Sequence, residues 1–438
     1  MRIPLIICFL LGLMIAASSI HAQEEECIAT AKQFVRAFEA KKFEVCASLV
    51  DTSVRAMLNK ENLEQAYAQV HAQTGDFISE QESSFENATT YYFVLVGCRF
   101  ERTEADYKCV FSVKTKKLVG FFITQPSIKH PYKLPPYASM DNVIEKAVVI
   151  TTDTFKLPGI LTLPKGVSKP PIIVFVHGSG PNDKDETVKS NRPFKDLAIG
   201  LASMGIASLR YDKRTFVYGV NLPDITHLTP KEEVTDDALS AIRFARSIPE
   251  VDSSKVYLLG HSLGGFLAPR IAELDGHLKG LILMAAPARK FEDVMLDQQE
   301  FLLPQQTTKR EADSLVESIR KDVALIRSNA YTDQTPPSQL LGVPASYWRY
   351  LSSYNQLATA KKLTLPMLFL QGDRDYQVGP KDFRTWKEAL LDNNNTSFQL
   401  FEGLFHLFMP GEGTFTDYNN AGNVSQSVVV AIANWVKK

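Results

Sequence analysis

Lys255-Val256-Tyr257-Leu258-Leu259-Gly260-His261-Ser262-Leu263-Gly264-Gly265 joins a short apolar run to a helix-forming stretch through a glycine-flanked serine. Residues 255–260 read as a buried strand and 263–274 as the helix that follows it. G-x-S-x-G between a strand and a helix is the arrangement that holds a nucleophilic serine on a sharp turn. That turn puts Ser262 in strained backbone, and a side chain at either flanking glycine would collide with the crossing chain. The hydroxyl is left exposed, and the next N–H, that of Leu263, stands at a helix start.

Outward from this turn the chain alternates. Candidate strands lie at Val143 to Ile150, Gly159 to Leu163, Ile172 to Val176, 206–211, 255–260, 279–285, 366–371 and 397–401. Helices are expected near 193–204, 231–247, 263–274, 380–391 and 424–437. Ile172-Ile173-Val174-Phe175-Val176 is apolar at every position, as in a parallel strand buried on both faces. Such alternation predicts an α/β fold with a doubly wound, mostly parallel eight-stranded sheet. The alternation breaks between 289 and 364, a mostly helical, polar stretch with Pro336-Pro337 in its middle. An insertion there stands above the strand ends, where a cap belongs.

A serine hydroxyl is a poor nucleophile until a base takes its proton. Hydrolases with this nucleophile turn carry the acid and then the histidine after the serine. His406, just past the last strand, is the sole histidine after His277. For the acid, the strand 366–371 runs into Gly372-Asp373-Arg374-Asp375-Tyr376-Gln377-Val378. Asp375 is the choice, because it falls in the loop beyond the strand end, whereas Asp373 is expected to pair locally with a group such as Arg374. Asp375 would fix the His406 tautomer and stabilise the imidazolium formed as Ser262 attacks. His177-Gly178-Ser179-Gly180-Pro181 follows the buried strand at 172–176. The backbone N–H groups of Leu263 and Ser179 are the expected oxyanion donors. His177 is read as a structural residue that holds this loop rather than as a second base.

These motifs, with Asn182-Asp183-Lys184-Asp185-Glu186 and Arg210-Tyr211-Asp212-Lys213-Arg214, resemble those of bacterial carboxylesterases of the α/β-hydrolase superfamily. The dienelactone-hydrolase and cinnamoyl-esterase relatives are the nearest in pattern. The resemblance runs from about Val143 to the C-terminus. It implies hydrolysis of carboxylic esters, often with short acyl chains, on a small-molecule substrate and without cofactor or metal. It is silent on 289–364. Asp183, Asp185, Asp212 and Arg214 match the pattern and are read as structural ion-pairing residues. Tyr347, Trp348 and Phe301 are candidates for the cap pocket, with helix-core packing the default reading. A serine peptidase of prolyl-oligopeptidase type and a non-enzymatic hydrolase-fold binding protein stay open as alternatives.

The first part of the 438-residue chain differs in plan. Arg2 and the apolar run Ile3 to Ile20, ending Ser18-Ser19-Ile20-His21-Ala22-Gln23, follow a signal-peptide scheme with cleavage after Ala22. Residues 1–22 would then be removed and the protein exported to the periplasm or beyond, with no stable membrane span. A retained anchor is the alternative reading. Residues 24–125 place helical patterns before strand patterns, which indicates an α+β domain. This domain resembles small cystatin-like or nuclear-transport-factor-like units. It carries no triad or phosphate loop, so docking, including a homodimer through this domain, is its expected role. A proline-rich linker at 126–142 separates it from a catalytic domain at 143–438.

Export permits disulfides. If the hairpin of Tyr91 to Phe100 with Tyr107 to Val113 turns on Thr103-Glu104, Cys98 faces Cys109, and a bridge between them is expected. Cys27 and Cys46 stay undecided, since a helix over 27–41 would separate them by roughly 20 Å. Net charge is −1 and no run of like charge occurs, which excludes a basic nucleic-acid surface.

Overall fold

The computed structural model describes residues 24–87, 91–124, 132–219, 222 and 227–438. The chain divides into two compact units, 1–131 and 132–438. The stretch read as a signal peptide and part of the stretch read as a linker lie outside the described residues.

In the first unit, α1 (24–39) and α2 (Phe43–Leu49) precede α3 (Lys60–Thr74), which Asn59 caps through the N–H of Asn62. An antiparallel sheet follows in the order β1 (Phe77–Asn87), β2 (Tyr91–Phe100), β3 (Glu104–Ser112), β4 (Leu118–Thr124). Phe34, Phe38, Val94, Tyr107 and Phe111 form its buried core. Helices first and sheet afterwards is the expected α+β order.

The expected disulfide is not formed. Cys98 pairs with Ala105 and Cys109 with Val94, so the two cysteines stand four residues, about 13 Å, out of register. The turn falls on Glu101-Arg102, two residues earlier than the sequence suggested. The N–H groups of Glu101 and Arg102 donate to Asp76 O and Thr74 O, which pins the tip to the α3–β1 corner. Among the described residues, Cys27, Cys46, Cys98 and Cys109 are all buried and outside any disulfide.

The second unit carries an eight-stranded sheet of order β12-β11-β10-β9-β7-β8-β6-β5. β5 (Val143–Thr152) and β6 (Phe155–Pro164) are its antiparallel edge. β7 (Ile172–Val176), β8 (Ala207–Tyr211), β9 (Val256–His261), β10 (Gly280–Met284), β11 (Met367–Gly372) and β12 (Thr396–Phe401) are parallel. β7 to β11 are buried at every position, which accounts for the unbroken apolar sequences of β7 and β10; β8 also buries Ser208 and Arg210. One face is covered by α6 (Asp236–Ser247) and α7 (Leu263–Asp275), with α12 (Pro380–Ala389) beside them. The other is covered by α4 (Pro193–Ser203) and α13 (Gln426–Val436). A short α5 (Arg214–Tyr218) and a π-helical turn, Lys231–Thr235, lie between β8 and α6.

Between β10 and β11 stand α8 (Phe291–Gln306), α9 (Lys309–Ser328), α10 (Ala345–Ser352) and α11 (Gln356–Lys362). This is the expected helical cap. Its base is tied down by Asp382, fully buried, which accepts from the N–H groups of Ala288 and Arg289 and from the Arg289 guanidinium at 2.8–3.1 Å. Among the described residues, no helix is long and apolar enough to cross a membrane.

Candidate active site

Ser262 sits between β9 and α7 at φ 52° and ψ −116°, a conformation that costs a non-glycine residue about 1–3 kcal/mol. The turn is held by Ser262 N–H to Met284 O and by Phe266 N–H to Ser262 O, each 2.9 Å. Its flanking glycines are required by space. A Cβ on Gly260 would lie 2.3 Å from Gly264 O, and one on Gly264 would lie 2.3 Å from Val176 O. As the first residue of α7, Leu263 has a backbone N–H without an intrahelical acceptor.

His406 and Asp375 come from the loops after β12 and β11, and these loops are stitched together. Asp373 Oδ1 accepts from Gly403 N–H at 2.7 Å, and Arg374 N–H donates to Leu404 O at 3.0 Å. Asp373 thus pairs with backbone of the histidine loop, whereas Arg374 reaches Glu412 at 3.6 Å. This corrects the expected local pairing. His406 Nδ1 lies 2.7 Å from Asp375 Oδ2, with both residues buried. Asp375 also accepts from Gln371 Nε2 and from the N–H groups of Gln377 and Val378 at 2.8–3.1 Å. With its Nδ1 proton on Asp375, His406 presents Nε2 as the basic nitrogen.

A second buried pair stands behind this one. His261 Nε2 donates to His406 O at 3.0 Å, and its Nδ1 lies 2.9 Å from Glu186 Oε2. The other Glu186 oxygen takes Gly178 N–H at 2.6 Å. Burial works against a charged His261, but the Glu186 carboxylate outweighs it and holds the imidazole above its ordinary range. His177 is buried against Phe194 and Tyr211, and that burial pushes its imidazole down to about 4. A neutral, enclosed ring suits the loop-holding role assigned to it.

The loop 178–180 lies against the nucleophile, since a Cβ on Gly178 would stand 3.2 Å from Ser262 Cβ. Ser179, Ser262 and His406 all line one cavity of about 620 Å³. The cap supplies Phe291, Val294 and Met295 from α8, Val343 and Pro344 from the loop before α10, and Tyr347 from α10. Of the three cap candidates, Tyr347 alone lines the cavity. Trp348 is core, its indole N–H donating to Leu340 O at 2.8 Å, and Phe301 stacks on Tyr376 at 4.5 Å. Glu186 and Glu233 are the lining carboxylates, and both are engaged: Glu186 by His261 and Glu233 by Lys213 at 2.6 Å. Of the four motif residues read as ion-pairing, Asp185, Asp212 and Arg214 form ion pairs, whereas Asp183 accepts hydrogen bonds instead. Asp185 meets Arg210, Asp212 meets Lys184, Arg214 meets Asp237, and Asp183 accepts from Thr187. Among the described residues, no group of three or more His, Cys, Asp and Glu could hold a metal ion.

A family model described as Serine aminopeptidase, S33 matches residues 171–412, more than half of the chain. The chain belongs to that serine-hydrolase family. Esterase EstD of Thermotoga maritima is 35% identical over 443 aligned residues, covering 100% of both chains. Residues 31–121 match a second family, described as a protein of unknown function (DUF3887). Among solved structures, Est1E from Butyrivibrio proteoclasticus is 19% identical, with a TM-score of 0.43 over 66% of this chain and 96% of that one. Acetyl xylan esterase from Paenibacillus sp. R4 is 18% identical, with a TM-score of 0.45 over 70% and 87%. By its sheet topology and its family, this serine hydrolase is an α/β-hydrolase with an added N-terminal domain.

Proposed function

We propose that the protein hydrolyses carboxylic esters with short acyl groups by two-step acyl transfer, with Ser262, His406 and Asp375 as the triad. His406 Nε2 takes the Ser262 proton as Oγ attacks the ester carbonyl, and the Leu263 and Ser179 N–H groups hold the oxyanion. His406 then protonates the leaving alcohol, and water repeats the sequence on the acyl-enzyme. The observation that carries this reading is the 2.7 Å His406–Asp375 contact beside a cavity that Ser262 also lines. The full-length likeness to an esterase supports the ester as substrate. A likeness of the motifs to those of dienelactone hydrolases and cinnamoyl esterases is part of this proposal.

A serine aminopeptidase is the second reading, given the family description. Such an enzyme needs an uncommitted carboxylate for the substrate ammonium. Both lining carboxylates are already paired, and much of the rest of the wall is apolar, so the ester is favoured. Residues 1–22 are proposed to direct export, and residues 24–125, for which a cystatin-like or nuclear-transport-factor-like fold is proposed, to serve docking or homodimerisation. The test is turnover of p-nitrophenyl esters of increasing chain length and of peptide amides, beside Ser262→Ala. The reading predicts ester turnover that vanishes in the variant. Peptide cleavage that outpaces ester cleavage would replace it with the aminopeptidase.

A further inference from the structure

Lys213 is a buried ammonium directly under the loop that carries Ser179. It donates to Gly178 O at 2.9 Å and to Gly180 O at 3.0 Å. Its counter-charge is Glu233 Oε1 at 2.6 Å, on the π-helical turn before α6. The second Glu233 oxygen accepts from Tyr347 OH, on cap helix α10, at 2.8 Å. A chain of charge-assisted hydrogen bonds therefore runs from the cap to the loop beside the nucleophile.

The consequence follows from one peptide group. Gly178 C=O and Ser179 N–H belong to the same trans peptide and point in opposite directions. With its carbonyl fixed on the Lys213 ammonium, the peptide turns its N–H the other way. The cation also draws electron density from that carbonyl, which makes the N–H a stronger donor. Asn182 Nδ2 assists at 3.2 Å on the same carbonyl, and Glu186 takes the preceding N–H.

We infer that Lys213, Glu233 and Tyr347 form a positioning relay that aims the Ser179 N–H at the oxyanion and couples that aim to the seating of α10. The inference rests on the esterase reading. None of the three touches the reacting atoms. Tyr347 lines the cavity, so a substrate pressing on α10 acts on the relay directly.

Lys213→Met alone leaves Glu233 buried and unpaired, which threatens folding. The test is therefore the double variant Lys213→Met/Glu233→Gln in the full chain, which removes both charges together. The relay predicts a folded protein whose kcat is lower by about 10²-fold, with KM within about threefold. Affinity for a trifluoromethyl ketone, whose adduct carries an oxyanion, falls in proportion to kcat/KM. A purely structural ion pair predicts near wild-type kcat in that variant, and this result overturns the relay while leaving the esterase reading intact. Absence of ester turnover in the wild type overturns both. Tyr347→Phe separates the cap arm. The relay predicts a kcat loss of the same factor on every ester, whereas a KM change confined to bulky esters removes α10 from it.

Discussion

Asp375 shows how four neighbours decide what one oxygen does. Its Oδ1 takes two backbone N–H groups, so in Asp375→Asn the amide oxygen is drawn to that side and the NH2 is turned toward His406 and the Gln371 amide. The Asn NH2 then faces His406 Nδ1 in place of an acceptor, and the wrong tautomer is favoured. The expected result is a kcat loss of about 10⁴-fold with the fold retained, read from kinetics and circular dichroism. His177 gives a pH prediction. Its pKa falls from an ordinary 6.5 to about 4 on folding, so the unfolded chain binds a proton that the folded one refuses. Its contribution is fully present above about pH 6.5 and is lost as the pH falls toward 4, about 3 kcal/mol in all. His177→Gln should flatten that acid limb in denaturant titrations at pH 7 and pH 4.5; an unchanged limb would contradict it. At this scale Ser262 and Asp375, proposed as triad members, were readable through local motifs, and His406 through its place after the last strand. Lys213 and Glu233 were not, since their meaning lies in contacts between segments 20 to 114 residues apart, although Lys213 stands in the strand-end motif.

Among the elements, the cap depends on its base. Asp382→Ala removes the acceptor of two backbone N–H groups and leaves the Arg289 guanidinium with Asp297 alone, half-exposed. A loss of about 3 kcal/mol is expected, with KM for bulky esters rising more than KM for an acetate ester. Thermal melts and a chain-length series would check it. The N-terminal hairpin makes a second prediction: Cys27, Cys46, Cys98 and Cys109 react with a disulfide reagent only after denaturation, without added reductant. Burial pushes the Cys46 thiol up to about 12, which further slows reaction in the folded state. Strands and helices of the sheet were legible from apolar runs and their spacing. The hairpin register was not, because its turn is fixed by carbonyls of Thr74 and Asp76, and no local composition records that.

For the whole molecule, the site belongs to one unit. Ser262, Asp375, His406, Lys213 and the cap all lie within 132–438. A chain of those residues is expected to fold and to keep kcat/KM for a small ester within a few-fold. Under the docking proposal, light scattering should show only the full chain as a dimer. Fold class and cap position were legible because an eight-strand alternation with one long interruption admits few arrangements. The cavity's shape was not, because it is lined by side chains from both sides of the interruption. Active-site labelling tests the central claim most directly. A fluorophosphonate probe followed by peptide mapping should give a single adduct on Ser262, with labelling slowed strongly in His406→Ala. An adduct on another residue, or unreactive wild-type protein, would contradict it.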